Sequence, residues 1–420
     1  MHGLASERHP LHNIDMTNTL KARDAKDVED AVRWALSEGK PLELVGRGSM
    51  RALGRPCQSD LTLDLSALAG VTLYEPEELV LSAKAGTPLA EIEALVRENG
   101  QQLAFEPMDY ALILGGPAER GSLGGALAAN LSGPRRIKAG AARDHFLGVS
   151  AVSGRGETFK SGGRVVKNVT GYDLCKLLAG SFGTLAAMTE VTLKTLPAPE
   201  TEETVLVLGL DDAQANRAIS AAMASSCDAS AAAHLPAALV MFFDGLHVMQ
   251  SATAFRLEGF APSVRHRKGA LTALLRPFGT VEHVDEGHSR AFWRSVRDVK
   301  PFSAGAPSGE HPLWRVSTAP ARGSEFAAML PPEAHHFYDW AGGLIWIAMP
   351  SSDDGGATAI RRAVAACGGH AMLVRAPAAL RAAVDVFEPQ PPALAAVTKR
   401  VKDSFDPKGV LNPGRVWAGV

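Results

Sequence analysis

Cysteine is scarce in this chain. Cys57, Cys175, Cys227 and Cys367 are four in 420 residues, too few and too scattered for a disulfide framework. None forms a C-x-x-C, so no zinc or iron–sulfur ligand set can be read, and a reducing compartment fits this usage. An excess of one charge sign is also missing: 43 Lys and Arg against 45 Asp and Glu give a formal net charge of −2. That excludes the electrostatic footprint of a nucleic-acid or anionic-membrane binder. No long hydrophobic run occurs. The most apolar stretch, Ala218 to Phe243, is broken by Asp228, His234 and Pro236, and its Ala and Ser content reads as small-residue helices, not a membrane span. The first residues mix charge with histidine and lack the apolar core of roughly 7–15 residues that a secretory signal carries. A soluble, cytoplasmic protein is expected, at most peripheral to a membrane.

A hydrophobic content of 46% supplies ample core, and the length predicts two or three domains. In Asp27–Gly39 the apolar residues Val28, Ala31, Val32, Ala35 and Leu36 share one helical face, with Gly39 as a stop. Short strands are expected at Pro41–Val45, Leu61–Leu65 and Leu79–Ala83. Thr87 as N-cap, Pro88 as first helical residue and Gly100 as stop bracket a further helix. Another strand is expected at Met188–Leu193, and the Pro- and acid-containing run Pro197–Glu203 is the clearest boundary. A second Pro-rich break, Phe387–Pro392, precedes a closing helix Ala393–Phe405 and the tail DPKGVLNPGRVW. The reading is α+β throughout: a tail at 1–18, one domain at 19–198, a second at 199–386, and a C-terminal helix and tail at 387–420.

Glycine carries the chemistry. Gly46-Arg-Gly48-Ser49 follows a strand and could form a nest of backbone N–H groups for a pyrophosphate. A Rossmann fingerprint would need a third glycine where Arg51 stands, and no Walker A sequence occurs. Gly121–Gly133 is denser: Gly124 and Gly125 open an Ala/Leu helical turn whose amides could face an anion, or could simply allow close helix packing. Gly162–Asp173 sets two basic side chains, an amide and a hydroxyl before the apolar helix Leu174–Leu178, with Thr170 or Asp173 as its cap. Gly180–Ala186 is a glycine-bounded turn into a strand. Any one of these is weak; four in this order are not.

The order G-R-G-S (46–49), A-K-A-G-T (83–87), E-P-M-D (106–109), G-S-L-G-G-x-L-A-A-N-x-S-G (121–133), R-V-V-K-N-V-T-G-Y-D (164–173) and G-S-F-G-T-L (180–185) resembles the FAD-binding domain of the vanillyl-alcohol-oxidase/p-cresol-methylhydroxylase type. The ending F-D-P-K-G-V-L-N-P-G-R (405–415) is similar to that family's C-terminal motif. With F-W-R-S-V-R-D (292–298) and L-W-R-V-S (313–317), the likeness is greatest to the FAD-binding E subunits of glycolate oxidase complexes. The resemblance implies a two-subdomain FAD-binding domain, an α+β cap and a tail that returns to the flavin domain. It also implies cofactor contacts. Gly46, Arg47, Gly48, Ser49 and Met50 would wrap the pyrophosphate. Pro107, Met108 and Asp109 with Ser122, Gly124 and Gly125 would line the diphosphate and ribityl path. Asn130 and Gly133 would lie near the isoalloxazine, Gly183, Thr184 and Leu185 on the adenine side, and Asn412 would reach the ring from the far end.

Two departures from that family shape the functional reading. Its covalent flavins hang on a His or Cys, whereas the first loop here has Ser49 and Met50, so non-covalent FAD is expected. Relatives that oxidise 2-hydroxy acids carry a metal-placing H-x-G-D-G-N-x-H; this chain has none, its paired His335 and His336 are expected to be surface or satisfied residues, and no metal or catalytic base can be named. Arg294, Arg297, Lys300 and Arg315 form a basic group that could bind a carboxylate or be salt-bridged. The resemblance implies an oxidoreductase subunit for glycolate or a similar small 2-hydroxy acid, working with a second FAD-binding subunit and an iron–sulfur subunit. A free-standing 2-hydroxy acid dehydrogenase and a non-catalytic scaffold are the alternatives.

Overall fold

The computed structural model describes residues 18–59, 61–164 and 171–420. The expected tail up to residue 17, and Thr170 as a cap, lie outside the described residues. Helix Ala25–Glu38 buries Val28, Ala31, Val32 and Ala35, is capped by the Asp24 side chain on the amide of Asp27, and stops at Gly39 in the left-handed region. It covers a parallel sheet in the spatial order Thr19–Lys21, Leu61–Asp64, Leu42–Val45. A second, antiparallel sheet runs Val71–Glu75, Val80–Lys84, Ala186–Lys194, Phe146–Ser153, Thr158–Gly162. Helix Leu174–Leu178 is capped by Asp173, whose carboxylate accepts from the Lys176 amide. Thr87 is not a cap. Its hydroxyl donates to Lys84 O (2.6 Å), while Pro88 keeps an extended ψ and helix Leu89–Glu98 starts one residue later than expected.

An eight-stranded antiparallel sheet follows, in the order Thr280–Val284, Thr201–Leu208, Ala252–Gly259, Ala231–Leu235, His335–Asp339, Leu344–Ala348, Leu313–Ser317, His370–Arg375. Its existence corrects the helical reading of Ala218–Phe243. Helix Asp212–Met223 ends early, and Ala231–Leu235 is a fully buried central strand in which alanines keep two covered faces close. Alternation sorts the faces of the sheet. Phe255, Leu257, Trp314, Val316, Ile345 and Ile347 pack outward under helices, whereas Leu206, Ala233, Ala254, Phe337, Trp346 and Met372 join one core with the N-terminal half.

Polar residues interrupt that inward face, and they do the joining. Arg256, 1% exposed, donates both guanidinium forks to Glu106 (2.8 and 2.9 Å), on the loop after Gln101–Gln102. The same carboxylate accepts from the Arg135 amide (2.6 Å), and the Arg135 side chain is bidentate on Glu258 (2.7 and 3.0 Å). Desolvation opposes the charge on Glu258, yet the two arginines win and hold it at about 2; Glu106 is likewise held below the usual range. Removing one partner of a buried pair strands the other, at a cost of about 3–5 kcal/mol, whereas replacing both by apolar groups is far milder. Arg256→Met is therefore expected to lower the urea midpoint strongly, and the Glu106→Met/Arg256→Met double variant to recover much of the loss. A carboxylate held at about 2 stabilises the fold above its unfolded value of about 4.3, and that contribution disappears as pH falls from about 5 to 2. Urea midpoints across this window should fall in the native chain and fall less steeply in the double variant.

Candidate functional site

Strand Leu42–Val45 ends at Gly46, and the chain turns through 46–50 before Arg51 and Leu53 donate back to Gly48 O and Met50 O. None of the five amides of Gly46, Arg47, Gly48, Ser49 and Met50 donates a hydrogen bond among the described residues. Folded chains pair nearly all backbone N–H groups that water cannot reach, so a half-buried run of five is an unspent donor set. The Nε of Arg47 is buried without a partner as well. All five residues line an open cleft, closed on the other sides by Ser122, Gly124, Gly125, Phe182, Gly183, Asn412 and Arg415.

The second glycine loop follows the close-packing alternative. The amides of Gly124 and Gly125 are engaged, on Ala85 O (2.7 Å) and the Ser122 hydroxyl (3.3 Å). The chain leaving Val80–Lys84 runs against the start of helix Leu123–Ala128 and takes up its first donors. The value of glycine here is proximity: a Cβ on Gly125 would stand 2.9 Å from Met50 Cε. The helix is the wall on which the first loop rests.

The tail completes the cleft. Val410 O accepts from the Leu42 amide (2.7 Å), and Leu411 bridges to Leu42. Asn412 Oδ1 accepts from the Leu44 amide and its Nδ2 donates to Phe182 O, both at 2.8 Å. Both ends of that side-chain amide hold the wall, and Asn412 lines the cleft. Behind it Lys402, 3% exposed, donates to Thr184 O (2.7 Å), Leu411 O (3.0 Å) and Asp406 (2.7 Å). Asp406 accepts in turn from the amides of Val410 and Leu411. Burial draws the Lys402 ammonium below its usual range, and Asp406 opposes that shift.

Ten of the seventeen expected contact residues meet in this cleft: Gly46, Arg47, Gly48, Ser49, Met50, Ser122, Gly124, Gly125, Gly183 and Asn412. Seven lie outside its lining. Pro107 and Met108 are buried, and Asp109 caps helix Tyr110–Leu114 while accepting from the Glu119 amide. Asn130 Oδ1 accepts from the Arg143 amide. Gly133 sits under Glu106, where a Cβ would come within 2.8 Å, and its carbonyl accepts from Trp340 Nε1 (2.9 Å). Thr184 anchors Lys402, and Leu185 is buried.

The basic group read from the sequence separates: Arg297 pairs with Asp298 and Glu93, Lys300 pairs with Asp244, and Arg315 lies apart, over the Trp340 ring. His336 is satisfied by Asp212 (2.9 Å). Sequence reading missed Glu106, Asp339 and Arg136. The available signal was a charged residue at an inward position of an alternating strand, as at Arg256 and Asp339. Among the described residues no three His, Cys, Asp or Glu side chains converge on a metal position, and no helix is long and apolar enough to cross a membrane.

Known proteins match this arrangement. A family model described as an FAD binding domain matches residues 17–162. Glycolate oxidase subunit GlcE of Escherichia coli (strain K12) is 33% identical over 391 residues, covering 93% of this chain and 96% of that protein. Glycolate oxidase subunit GlcD of Bacillus subtilis (strain 168) is 31% identical over 153 residues, 36% of this chain and 31% of that one. Among solved structures, p-cresol methylhydroxylase with substrate bound superposes with a TM-score of 0.69 at 12% identity, covering 94% of this chain and 88% of the other. That last likeness is one of fold.

Asn412→Leu leaves the Leu44 amide and the Phe182 carbonyl unpartnered, and the loss of about 2–4 kcal/mol should appear as a lower denaturation midpoint and faster amide exchange over residues 406–416. Asn412→Asp keeps the acceptor for Leu44 and should lose less. Loop order, cleft and near full-length similarity agree, and the chain belongs to the family of the glycolate oxidase subunit GlcE, with an FAD-binding fold of the p-cresol-methylhydroxylase type.

Proposed function

We propose that the cleft holds FAD non-covalently, with its diphosphate on the amides of Gly46–Met50 and beside Arg47, and that the chain is the FAD-binding subunit of a complex oxidising glycolate or a similar 2-hydroxy acid. The observation that carries this reading is the set of five unspent amides next to an orphaned guanidinium nitrogen, a donor arrangement suited to a dianionic diphosphate. Non-covalent attachment follows from Ser49 and Met50, neither of which offers the imidazole or thiol used for a flavin link. Bound FAD supplies a two-electron acceptor. The chain's own residues supply the nest, the Met50–Gly125 seat and the tail clamp at Asn412. In this reading residues 19–198 bind the cofactor, 199–386 form the cap facing substrate or partner, and 387–420 lock the cofactor domain.

The four cysteines stand apart in sequence, so onward electron transfer is assigned to an iron–sulfur subunit, with a second flavin subunit resembling GlcD. Cytoplasmic placement, at most peripheral to a membrane, accords with this assembly.

Purified chain should show flavin absorbance, and acid precipitation should release all of it into the supernatant; flavin retained on the precipitated protein would refute non-covalent binding. Gly125→Val, which drives a branched side chain into Met50, should cut flavin content at least tenfold while far-UV circular dichroism stays native. Glycolate should reduce the isolated chain poorly, with turnover rising at least tenfold when the partner subunits are added. Full turnover by the chain alone would overturn the subunit assignment.

A further inference from the structure

Most charged groups in the interior are already spent. Arg375 donates to four backbone carbonyls, Arg256 and Arg135 serve Glu106 and Glu258, and Asp212 takes His336 and Tyr338. Half-buried Arg136 and Arg315 are exceptions, as are Arg47 and Arg55. Among the described residues neither Arg136 nor Arg315 makes a side-chain hydrogen bond or an ion pair.

The two come from different parts of the chain and meet on one indole ring. Arg315 is the central residue of strand Leu313–Ser317, whose neighbours Trp314 and Val316 face the outer core. Alternation therefore turns Arg315 inward, in register with Trp346 and Met372 of the shared core. His370 has the same parity as Met372 on the edge strand, and its imidazole is pulled below its usual range, first by desolvation and then by both arginines. Arg136 belongs to the N-terminal half. It opens the short helix Arg136–Ala139, three residues after Gly133 and seven after Ala129, which lines the cofactor cleft.

Trp340 holds both in place. The guanidinium carbons of Arg136 and Arg315 lie 4.2 and 4.8 Å from its ring centroid, so they are within about 9 Å of each other, the sum of those distances. The indole is fixed by its Nε1–H on Gly133 O (2.9 Å) and its backbone N–H on Asp339 (2.7 Å). Trp340 and Ala341 are consecutive non-glycine residues in the left-handed region, at φ +49° and +56°. Each costs about 1–3 kcal/mol, and such strain persists where surrounding contacts impose a geometry. Stacking on tryptophan compensates each cation by about 0.5–2 kcal/mol, but it does not remove the mutual repulsion of two cations. Asp339, the carboxyl behind the indole, is pushed up to about 7 by burial and so carries only part of a charge near neutrality. Asp144 and Glu388 act on this cluster from a distance, and neither takes up the two planar N–H forks.

We propose that Arg136 and Arg315, held over Trp340, form the binding site for the carboxylate of the substrate, one arginine from the cofactor-binding half and one from the eight-stranded sheet. This rests on the reading of the chain as a 2-hydroxy acid oxidoreductase subunit and deepens it, because it places substrate recognition in this chain. Two guanidinium forks suit a small planar carboxylate, and a ligand held by both ties the sheet to the cofactor side.

The test uses oxalate, glycolate and inorganic phosphate on the purified full-length chain, read by calorimetry and tryptophan fluorescence, neither of which needs flavin. Oxalate and glycolate should bind saturably to the native chain. Arg136→Met and Arg315→Met should each weaken oxalate by about 10- to 100-fold, the loss expected for a charge-assisted contact. Arg315→Lys should fall between, and flavin content and melting temperature should hold in all three. The proposal is overturned if the native chain binds no carboxylate, if both Met variants bind oxalate as the native chain does, or if phosphate outcompetes oxalate. Arginine-dependent oxalate binding by a chain that takes up no FAD would uphold this site and sink the cofactor assignment instead.

Discussion

Glu106 lies where the N-terminal half meets the eight-stranded sheet, and it is enclosed from three directions. Arg256 holds both its oxygens from the sheet, the Arg135 amide holds one from the adjoining turn, and Gly133 passes directly beneath it. Buried ion pairs add little net stability over an apolar contact of equal volume, because desolvation consumes most of the Coulomb gain. What they add is geometry. Apart from Glu202 and Thr204, tied to Ser289, the rest of the inward face is mostly alanine, leucine and aromatic residues, which would pack acceptably in several offsets; a bidentate fork accepts one. The position of Trp340, hydrogen-bonded to Gly133, follows from that register, and so does the meeting of Arg315 with Arg136 on its ring.

The Gly46–Met50 loop and the inward face of the large sheet are built differently. At that loop the free donors are backbone amides, and small residues leave them accessible. On the sheet the backbone is consumed by strand pairing, and specificity falls to a few charged side chains replacing apolar ones at inward positions. A ligand spanning both regions would meet amides at one end and guanidinium forks at the other.

Local features were legible in the sequence and long-range pairings were not. Helix Ala25–Glu38 announces itself through the spacing of Val28, Ala31, Val32 and Ala35, and its ends through Asp24 and Gly39. Strands near Gly46 and the closing helix Pro392–Phe405 could be read from alternation and proline punctuation. Strand Ala231–Leu235 could not, because alanine favours helix and only burial between two neighbours makes it a strand. The glycine loops marked the cleft, but which glycines donate and which merely permit contact depends on Ala85 and Ser122. The partnership of Glu106 with Arg256 spans 150 residues. No local pattern encodes it, and the same holds for Arg136 and Arg315.

The clamp formed by Lys402, Asp406 and Asn412 also bears on how the molecule is made. Asn412 ties the strand that leads into the amide loop to the Phe182 turn, so one wall of the cleft is contributed by a residue 368 positions beyond Leu44. The loop at Gly46–Met50 leaves the ribosome hundreds of residues earlier. The cleft is therefore complete only when the segment around Asn412 has folded back onto the strand at Leu44.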